Sequence, residues 1–498
     1  MATTETDSSD AANSEKTFPW FSLPGELQIM IFQALTIDKR GLGAAAAVCK
    51  AWQTVIEQKT FERLELKREC LSTFASLERP RELVRYIWLN IELPRYTPSS
   101  EGSEERSLNN TNVRCRVADA IYELFHILHN WPITEEGLTL ELNVYNPSDS
   151  EQWFKNWYYG NEPAYEPKPL STFNDPKYGW ADGKQVYVPE RKVATILFQP
   201  IDVWSGPERR LDRVDAITGF VLRRQCRRQF SQDSLTMSFN ALPRLPEIHY
   251  EPWRTMGKTW DSSYATRRAN TIQCLPSTVR KLTIFEEWYG YQSKAVQKIG
   301  QTDYVPTELS TSKEIETAEK QLGSELAHRS LEFEHLSLSF FTTGSAFFRG
   351  VKPGSTWPRL ESLMLTSTCL SDGAKDYKRE KLLKGAARVA LRMPQLRLFV
   401  LWHTAFDAAA VFTYCKKPHR CSLTWRATWE VNLDAELVGL WEDVALKSGV
   451  AELEVKYVKL SAGDIQSHGD AIHHLELPEG VIDPVSLWQI RQEAATTI

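Results

Sequence analysis

The thiols and imidazoles near the C-terminal end of this sequence are candidate metal ligands. Cys415, His419 and Cys421 lie close together, and zinc is bound by residues of these types. Their spacing matches no tetrahedral framework, however, and no fourth ligand is evident beside them. The sequence also contains no G-x-S-x-G elbow, GxxxxGK(S/T) loop, HExxH pair or strand-linked GxGxxG turn. We therefore predict no metal, no cofactor and no catalytic residue.

Four arginines form a second candidate site. Arg223, Arg224, Arg227 and Arg228 lie on a helix that we predict over residues 211–230. Guanidinium groups bind phosphate and carboxylate groups in a fork geometry, so this strip could bind an acidic or phosphorylated peptide. A nuclear-import signal and a nucleic-acid contact are alternatives. We favour the simplest alternative, a solvated helix face, because a single basic strip on a mildly acidic protein is usually that.

Aromatic residues are concentrated in residues 146–190, which we predict to be an insertion rich in proline, glycine and asparagine. Trp153, Trp157 and Tyr158 are the candidate substrate-binding residues here, because Trp and Tyr are enriched in binding hot spots. We favour the alternative that these rings anchor the insertion on the rest of the protein.

The composition limits the class of protein. A formal net charge of −5 over 498 residues argues against a general nucleic-acid binder. The eight cysteines form no CxxC pair, no secretory segment opens the chain, and no run of 18 or more apolar residues occurs. We therefore expect free thiols, no membrane partner, and a reducing cytoplasmic or nuclear location. Residues 1–16 have the composition of a disordered tail.

The residues near the N-terminus are the most informative about structure and function. Over residues 23–35, helical periodicity gathers Leu23, Leu27, Met30, Ile31, Ala34 and Leu35 on one broad face. Ile29 and Phe32 point away from that face. A helix that is apolar on two sides needs two partners, and a module of about 40 residues is too small to be stable alone.

The residues of this module resemble the F-box. The resemblance rests on Leu23-Pro24-x-Glu26-Leu27, then Ile31 and Leu35, then Val48-Cys49-Lys50-x-Trp52. It covers about one tenth of the chain and implies a three-helix bundle over residues 17–65. It also implies docking on the Skp-type adaptor of a cullin-RING ubiquitin ligase, with the rest of the chain choosing a protein substrate. The implied adaptor-binding residues are Leu23, Pro24, Glu26, Leu27, Ile31, Leu35, Val48, Cys49 and Trp52. We expect Trp52 to be the main core anchor of the bundle, and Val48 and Trp52 to share one face of its last helix.

The rest of the chain, residues 66–498, alternates amphipathic helices with short leucine-rich strands. Helices are predicted at 113–130 and 377–392. Strands are predicted at 138–142, 193–198, 279–285, 335–340, 360–365 and 396–401. This alternation indicates a degenerate leucine-rich repeat, although the period is irregular. An ordinary α/β domain is the alternative.

We therefore predict an α/β or α+β protein. An N-terminal three-helix F-box bundle precedes an irregular leucine-rich-repeat-like solenoid with long insertions near residues 146–190 and 286–330. The combination of these two regions resembles F-box proteins with leucine-rich-repeat-like bodies, which are common among filamentous fungi. It implies a non-catalytic substrate adaptor of a ubiquitin ligase. An F-box scaffold acting outside ubiquitin transfer and an enzyme without a recognisable motif are the alternatives.

Overall fold

A computed structural model describes most of the chain, and it divides into two compact units, Met1–Leu64 and Glu65–Ile498. The described residues are 20–37, 42–95, 111–155, 158, 160, 174–186, 201–203, 210–253, 262–286, 313–405 and 408–495. The predicted tail 1–16, the predicted strand 193–198 and Trp157 lie outside them.

Unit 1 is helical. Helices α1 (Gly25–Ile37), α2 (Leu42–Ala46) and α3 (Lys50–Phe61) follow a short 3₁₀ turn at Trp20–Ser22. Pro24 immediately precedes α1, where its missing N–H removes no helical hydrogen bond. The prediction that Val48 shares a helix face with Trp52 is wrong, because α3 begins at Lys50 and Val48 lies before it.

Unit 2 contains the large sheet. Strand β1 (Arg63–Leu66) spans the boundary of the two units. The other strands are β2 (Tyr86–Glu92), β3 (Leu138–Tyr145), β4 (Trp180–Ala181), β5 (Lys184–Gln185), β6 (Ile217–Leu222), β7 (Glu247–Tyr250), β8 (Lys281–Phe285), β9 (His335–Thr343), β10 (Ser362–Thr366), β11 (Leu398–Thr404), β12 (Ala409–Lys416), β13 (Cys421–Ala427) and β14 (Leu453–Lys459).

Helices connect most of these strands. They are α4 (Leu71–Ala75), α5 (Thr111–Leu128), α6 (Pro147–Gln152), α7 (Gln232–Asn240), α8 (Ser262–Gln273), α9 (Lys313–Arg329), α10 (Gly344–Gly350), α11 (Asp376–Ala390), α12 (Ala435–Lys447), α13 (His468–His474) and α14 (Pro484–Ala495). The predicted helices 113–130 and 377–392 are confirmed as α5 and α11. Helix α9 falls inside the predicted insertion 286–330, yet it packs into the body through the buried Leu322 and Leu326.

The strands of the main sheet follow one another in chain order. It is 12-stranded, with the order β1-β2-β3-β6-β7-β8-β9-β10-β11-β12-β13-β14, and β4 and β5 form a separate pair. From β2 to β11 every pair of neighbouring strands is parallel, as is the β13–β14 pair. The β11–β12 and β12–β13 pairs are antiparallel. Their connections, residues 405–408 and 417–420, are too short for the crossover that parallel strands need. The protein is thus an α/β protein with a large, mostly parallel sheet.

Both faces of the sheet are covered around β11. On one face Phe399, Phe412 and Tyr414 pack on Trp441 of α12, with ring centroids 5.0, 5.4 and 5.1 Å away. On the other face Trp402 and its neighbours join a core with side chains of the C-terminal segment, residues 465–490. Burial on both faces explains why these strands read as continuous apolar runs.

One residue of the C-terminal segment should make the stability of the protein depend on pH. His468 of α13 is buried and hydrogen-bonds through Nδ1 to Thr404 Oγ1 at 3.1 Å. Burial lowers the pKa of His468 to about 3, and the positive charges of Arg224 and His403 act in the same direction. The folded protein therefore keeps His468 neutral, whereas the unfolded chain binds a proton below its ordinary pKa of 6.5. The free energy of unfolding should then fall as the pH drops from about 6.5 toward 3.

The variant His468→Gln isolates this contribution, because its amide retains a hydrogen-bonding group for Thr404. Between pH 7 and pH 5, wild type should lose about 1–2 kcal/mol more stability than the variant. Urea denaturation at the two pH values measures the difference. Equal losses in the two proteins would show that His468 binds its proton as readily in the folded state as in the unfolded chain.

The region around the four arginines differs from the prediction. Residues 217–222 form strand β6, and residues 223–230 are irregular, so the predicted helix over 211–230 is wrong. The β-branched Ile217 and Thr218 and the buried Phe220 fit a strand, and Gly219 lies opposite Thr139 of β3. A Cβ at Gly219 would approach Thr139 Oγ1 to 2.6 Å, so a larger residue here would require the Thr139 side chain to shift.

Candidate functional site

The first candidate site is the apolar surface of unit 1. Three aromatic rings form the interior of this unit: Trp20 lies 5.2 Å from Phe32 and 4.7 Å from Trp52, and Phe32 lies 5.1 Å from Trp52. Phe32 is buried, so α1 turns its Phe32 side inward. The half-buried Trp52 packs against both other rings, and its role as the main core anchor stays a prediction.

The opposite side of α1 is exposed. Leu27 is 45% exposed, Met30 61% and Leu35 37%. Pro24 and Glu26 are also exposed, while Leu23 and Ile31 are half-buried. Several side chains of the broad apolar face that we predicted for α1 are thus exposed to solvent. Leaving each large apolar side chain in water forgoes about 1.5–3 kcal/mol of burial.

Two further parts of unit 1 add to its exposed apolar surface. Val48 is 64% exposed in the turn before α3, and Val55 of α3 is 37% exposed. Cys49, a half-buried free thiol, occupies the N-cap position of α3 in an extended conformation. Among the described residues, most exposed large hydrophobic side chains lie in this small unit. Exposed apolar patches of this kind mark sites of interaction with another molecule.

The second candidate site is a buried cluster of charges in unit 2. Arg223 follows β6 and makes two hydrogen bonds to Glu141 of β3, at 2.6 and 2.9 Å. Glu141 also accepts hydrogen bonds from Tyr86 at 2.6 Å and from Gln225 at 3.1 Å. Both charged side chains are almost fully buried. Such a bidentate pair is strong only because several donors satisfy the carboxylate.

The other three arginines are paired in the same way. Arg224 and Arg227 both contact Glu493 of α14, and Arg228 contacts Asp149 of α6. All three guanidinium groups are buried, so the prediction of a solvent-facing basic strip is wrong. In the state described, an acidic peptide could reach them only by displacing an internal carboxylate.

A histidine and a carboxylate complete the cluster. Glu251, which follows β7, lies 2.8 Å from His249 and accepts hydrogen bonds from the Arg224 and Asp483 N–H groups and the Ser486 hydroxyl. Burial acts to raise the pKa of Glu251, but His249 and these donors lower it well below its usual range. Burial lowers the pKa of His249, yet the Glu251 carboxylate outweighs it and the net pKa is raised. Each member of the pair therefore favours the charged form of the other.

The described aromatic residues of the predicted insertion pack partly on one another and partly on the body. Trp153 stacks edge-on with Tyr178 at 5.0 Å, and its carbonyl accepts hydrogen bonds from Trp180 and Gln185. Tyr158 contacts Trp488 of α14 at 5.0 Å. The Tyr158 contact favours the anchoring interpretation over a free binding surface, whereas these Trp153 contacts lie within residues 146–190. A substrate-binding role for Trp153 and Tyr158 stays a prediction.

The cysteine and histidine cluster of the sequence does not assemble in the structure as a ligand set. Cys421 is buried with its sulfur 3.2 Å from the Tyr414 hydroxyl, and Cys415 is a half-buried free thiol. Within the described ranges, no group of three or more His, Cys, Asp or Glu side chains is positioned to hold a metal ion. No helix in the same ranges is long and apolar enough to cross a bilayer.

Sequence reasoning did not find the partners of the arginines. Glu141, Glu251 and Glu493 are far apart in the chain, and nothing in their local sequence marks them as buried. One sequence feature could have indicated that these residues meet. Arg223 and Glu251 each follow directly after a strand, and the ends of parallel strands lie at the same edge of a sheet.

Comparison with known proteins adds one finding. Residues 274–483 match the profile of DUF6546, a family of unknown function. This stretch contains β8 to β14 and α13 and ends just before α14. No curated protein matches the chain significantly.

Proposed function

We propose that this protein is a substrate adaptor of a Skp–cullin–F-box type ubiquitin ligase. Unit 1 would dock on the Skp-type adaptor as an F-box, and unit 2 would bind a protein target. The observation that carries the proposal is the exposed apolar side of α1, with Leu27, Met30 and Leu35, behind which Trp52 packs with Phe32 and Trp20. The F-box-like residues lie on that side of α1 and in the turn before α3.

The architecture of unit 2 supports a leucine-rich-repeat-like body. In such a solenoid each strand lies beside the strand that precedes it in the chain, with a helix between them. The strand order from β2 to β11 and the helices that separate these strands have this arrangement. The β11–β12–β13 meander departs from it. Because the C-terminal segment covers one sheet face near β11, the target-binding surface would include that segment.

The mechanism would be proximity. An adaptor that holds a target near a charged conjugating enzyme raises the local concentration of the target's lysines at the thioester. This requires binding energy and fixed geometry and no acid–base chemistry in the adaptor itself.

Co-expression with a Skp-type adaptor tests the proposal. The full chain should purify as a stoichiometric complex with the adaptor, and a chain lacking residues 18–62 should not. A target that co-purifies with the full chain should accumulate in cells when those residues are deleted. A stable adaptor complex without any change in target turnover would favour the scaffold alternative, and failure of the full chain to bind the adaptor would refute the proposal.

A further inference from the structure

The C-terminal segment runs back along the sheet after β14. Its contacts reach several strands: His468 binds Thr404 of β11, the His474 carbonyl accepts a hydrogen bond from Arg426 of β13, and the Gly480 carbonyl accepts one from Thr283 of β8. The segment then reaches the residues after β7 and β6 and ends as helix α14. Helix α14 therefore rests on the buried arginine cluster.

Helix α14 places a carboxylate between two arginines. Glu493 accepts hydrogen bonds from Arg224 at 3.2 and 2.7 Å and from Arg227. Both guanidinium groups lie over the Trp253 ring, 4.7 and 4.1 Å from its centroid. Burial acts to raise the pKa of Glu493, but the two arginines lower it to about 2, so the carboxylate is ionised. Two guanidinium forks against an indole face form a built site for one oxyanion.

The side of α14 that faces the body is unusual for a docked helix. Ser486, Gln489 and Glu493 recur at helical spacing and are all buried, and each makes a polar contact with the body. Surface helices generally dock through an apolar stripe, whereas on this side of α14 buried polar side chains lie beside the buried Val485 and Ile490. The polar contacts can be exchanged for equivalent contacts from another segment, so this helix is open to competition.

We infer that Arg224, Arg227 and Trp253 form an oxyanion-binding site that α14 fills with its own Glu493, and that a partner peptide bearing a carboxylate or phosphate can replace α14 there. The helix is then a self-ligand that closes the site until a competing peptide is present. In the setting of the proposed function this site would take part in target binding. It does not depend on the docking of unit 1.

The test uses the full chain with Glu493→Gln, which removes the charge, and Glu493→Lys, which places a cation beside the two guanidinium groups. Hydrogen exchange in residues 484–495 should become at least about tenfold faster in both variants. The matched control is Glu476→Gln on the same segment, because Glu476 is exposed and pairs with Arg426 at the surface. The control should exchange like wild type. Unchanged exchange in both Glu493 variants would overturn the inference.

Peptide binding separates an oxyanion site from a purely structural ion pair. The probes are peptides of residues 484–495 with glutamate, phosphoserine or glutamine at position 493. The glutamate and phosphoserine peptides should bind the Glu493→Gln chain about tenfold or more tightly than they bind wild type, and the glutamine peptide should not bind. Adding Arg227→Gln should abolish binding, and the ratio of the two anionic peptides tells which oxyanion fits better. A released helix with no preference for the anionic peptides would refute the inference. Neither result bears on adaptor binding by residues 18–62.

Discussion

Replacing Leu27 and Met30 of α1 by aspartate should weaken binding to a Skp-type adaptor by at least about 100-fold, or about 2.7 kcal/mol. Burying two carboxylates without partners in an apolar interface costs several kcal/mol. Because both side chains are already exposed in the free protein, the stability of the chain should change by less than about 0.5 kcal/mol. Binding is measured by calorimetry with the purified adaptor, and stability by urea denaturation.

Matched controls are Tyr377→Asp and Leu446→Asp in unit 2. These side chains are 60% and 57% exposed, which is close to the exposure of Met30. The controls add the same charge to an exposed apolar position and should leave adaptor binding unchanged. If the α1 variant binds the adaptor as tightly as wild type, the exposed side of α1 is not the docking surface.

The second large effect is expected inside unit 2. Glu141→Gln should destabilise the β3–β6 part of the sheet by about 3–5 kcal/mol, because the buried Arg223 loses the carboxylate that holds it. Asp483, 3.5 Å from Arg223, compensates only in part because its side chain is 27% exposed. Native-state hydrogen exchange in β3 and β6 measures the opening free energy of this region directly.

A surface pair provides the comparison. Glu136 and Arg85 form an ion pair in which the Glu136 side chain is 69% exposed. Glu136→Gln should change stability by less than about 1 kcal/mol. The double variant Glu141→Leu with Arg223→Met should recover much of the lost stability, since it removes both buried charges. Equal losses for Glu141→Gln and Glu136→Gln would mean that the buried pair contributes no more than an exposed one.

The sequence was most informative where local pattern decides structure. Helical periodicity located α5 and α11, and leucine-rich runs located β3, β8, β9, β10 and β11. In unit 1 the pattern also placed Phe32, which is buried, and Leu27, which is exposed, on different sides of α1, although Ile29 on the Phe32 side is 57% exposed. These features depend on neighbours three or four positions away, or on alternate residues, so a single sequence reveals them.

The arginine cluster could not be read in this way. A run of charged residues such as Arg223 to Arg228 predicts a solvated surface, unless carboxylates from elsewhere in the fold surround it. Here the partners are Glu141, Asp149 and Glu493, and their approach depends on the order of strands and on the return of the C-terminal segment. The arginines on either side of Ile217–Leu222 also led us to assign this run to a helix, although it forms strand β6.

The return of the C-terminal helix has a consequence for synthesis on the ribosome. Arg224 and Arg227 emerge long before Glu493, and translation of the intervening residues takes on the order of tens of seconds. During that interval the nascent chain can stack its strands one after another, but the two guanidinium groups lack their carboxylate and stay hydrated. Unit 2 therefore completes its fold only after residues 484–495 have been translated, and a polypeptide truncated before them would stay exposed to chaperones and proteases.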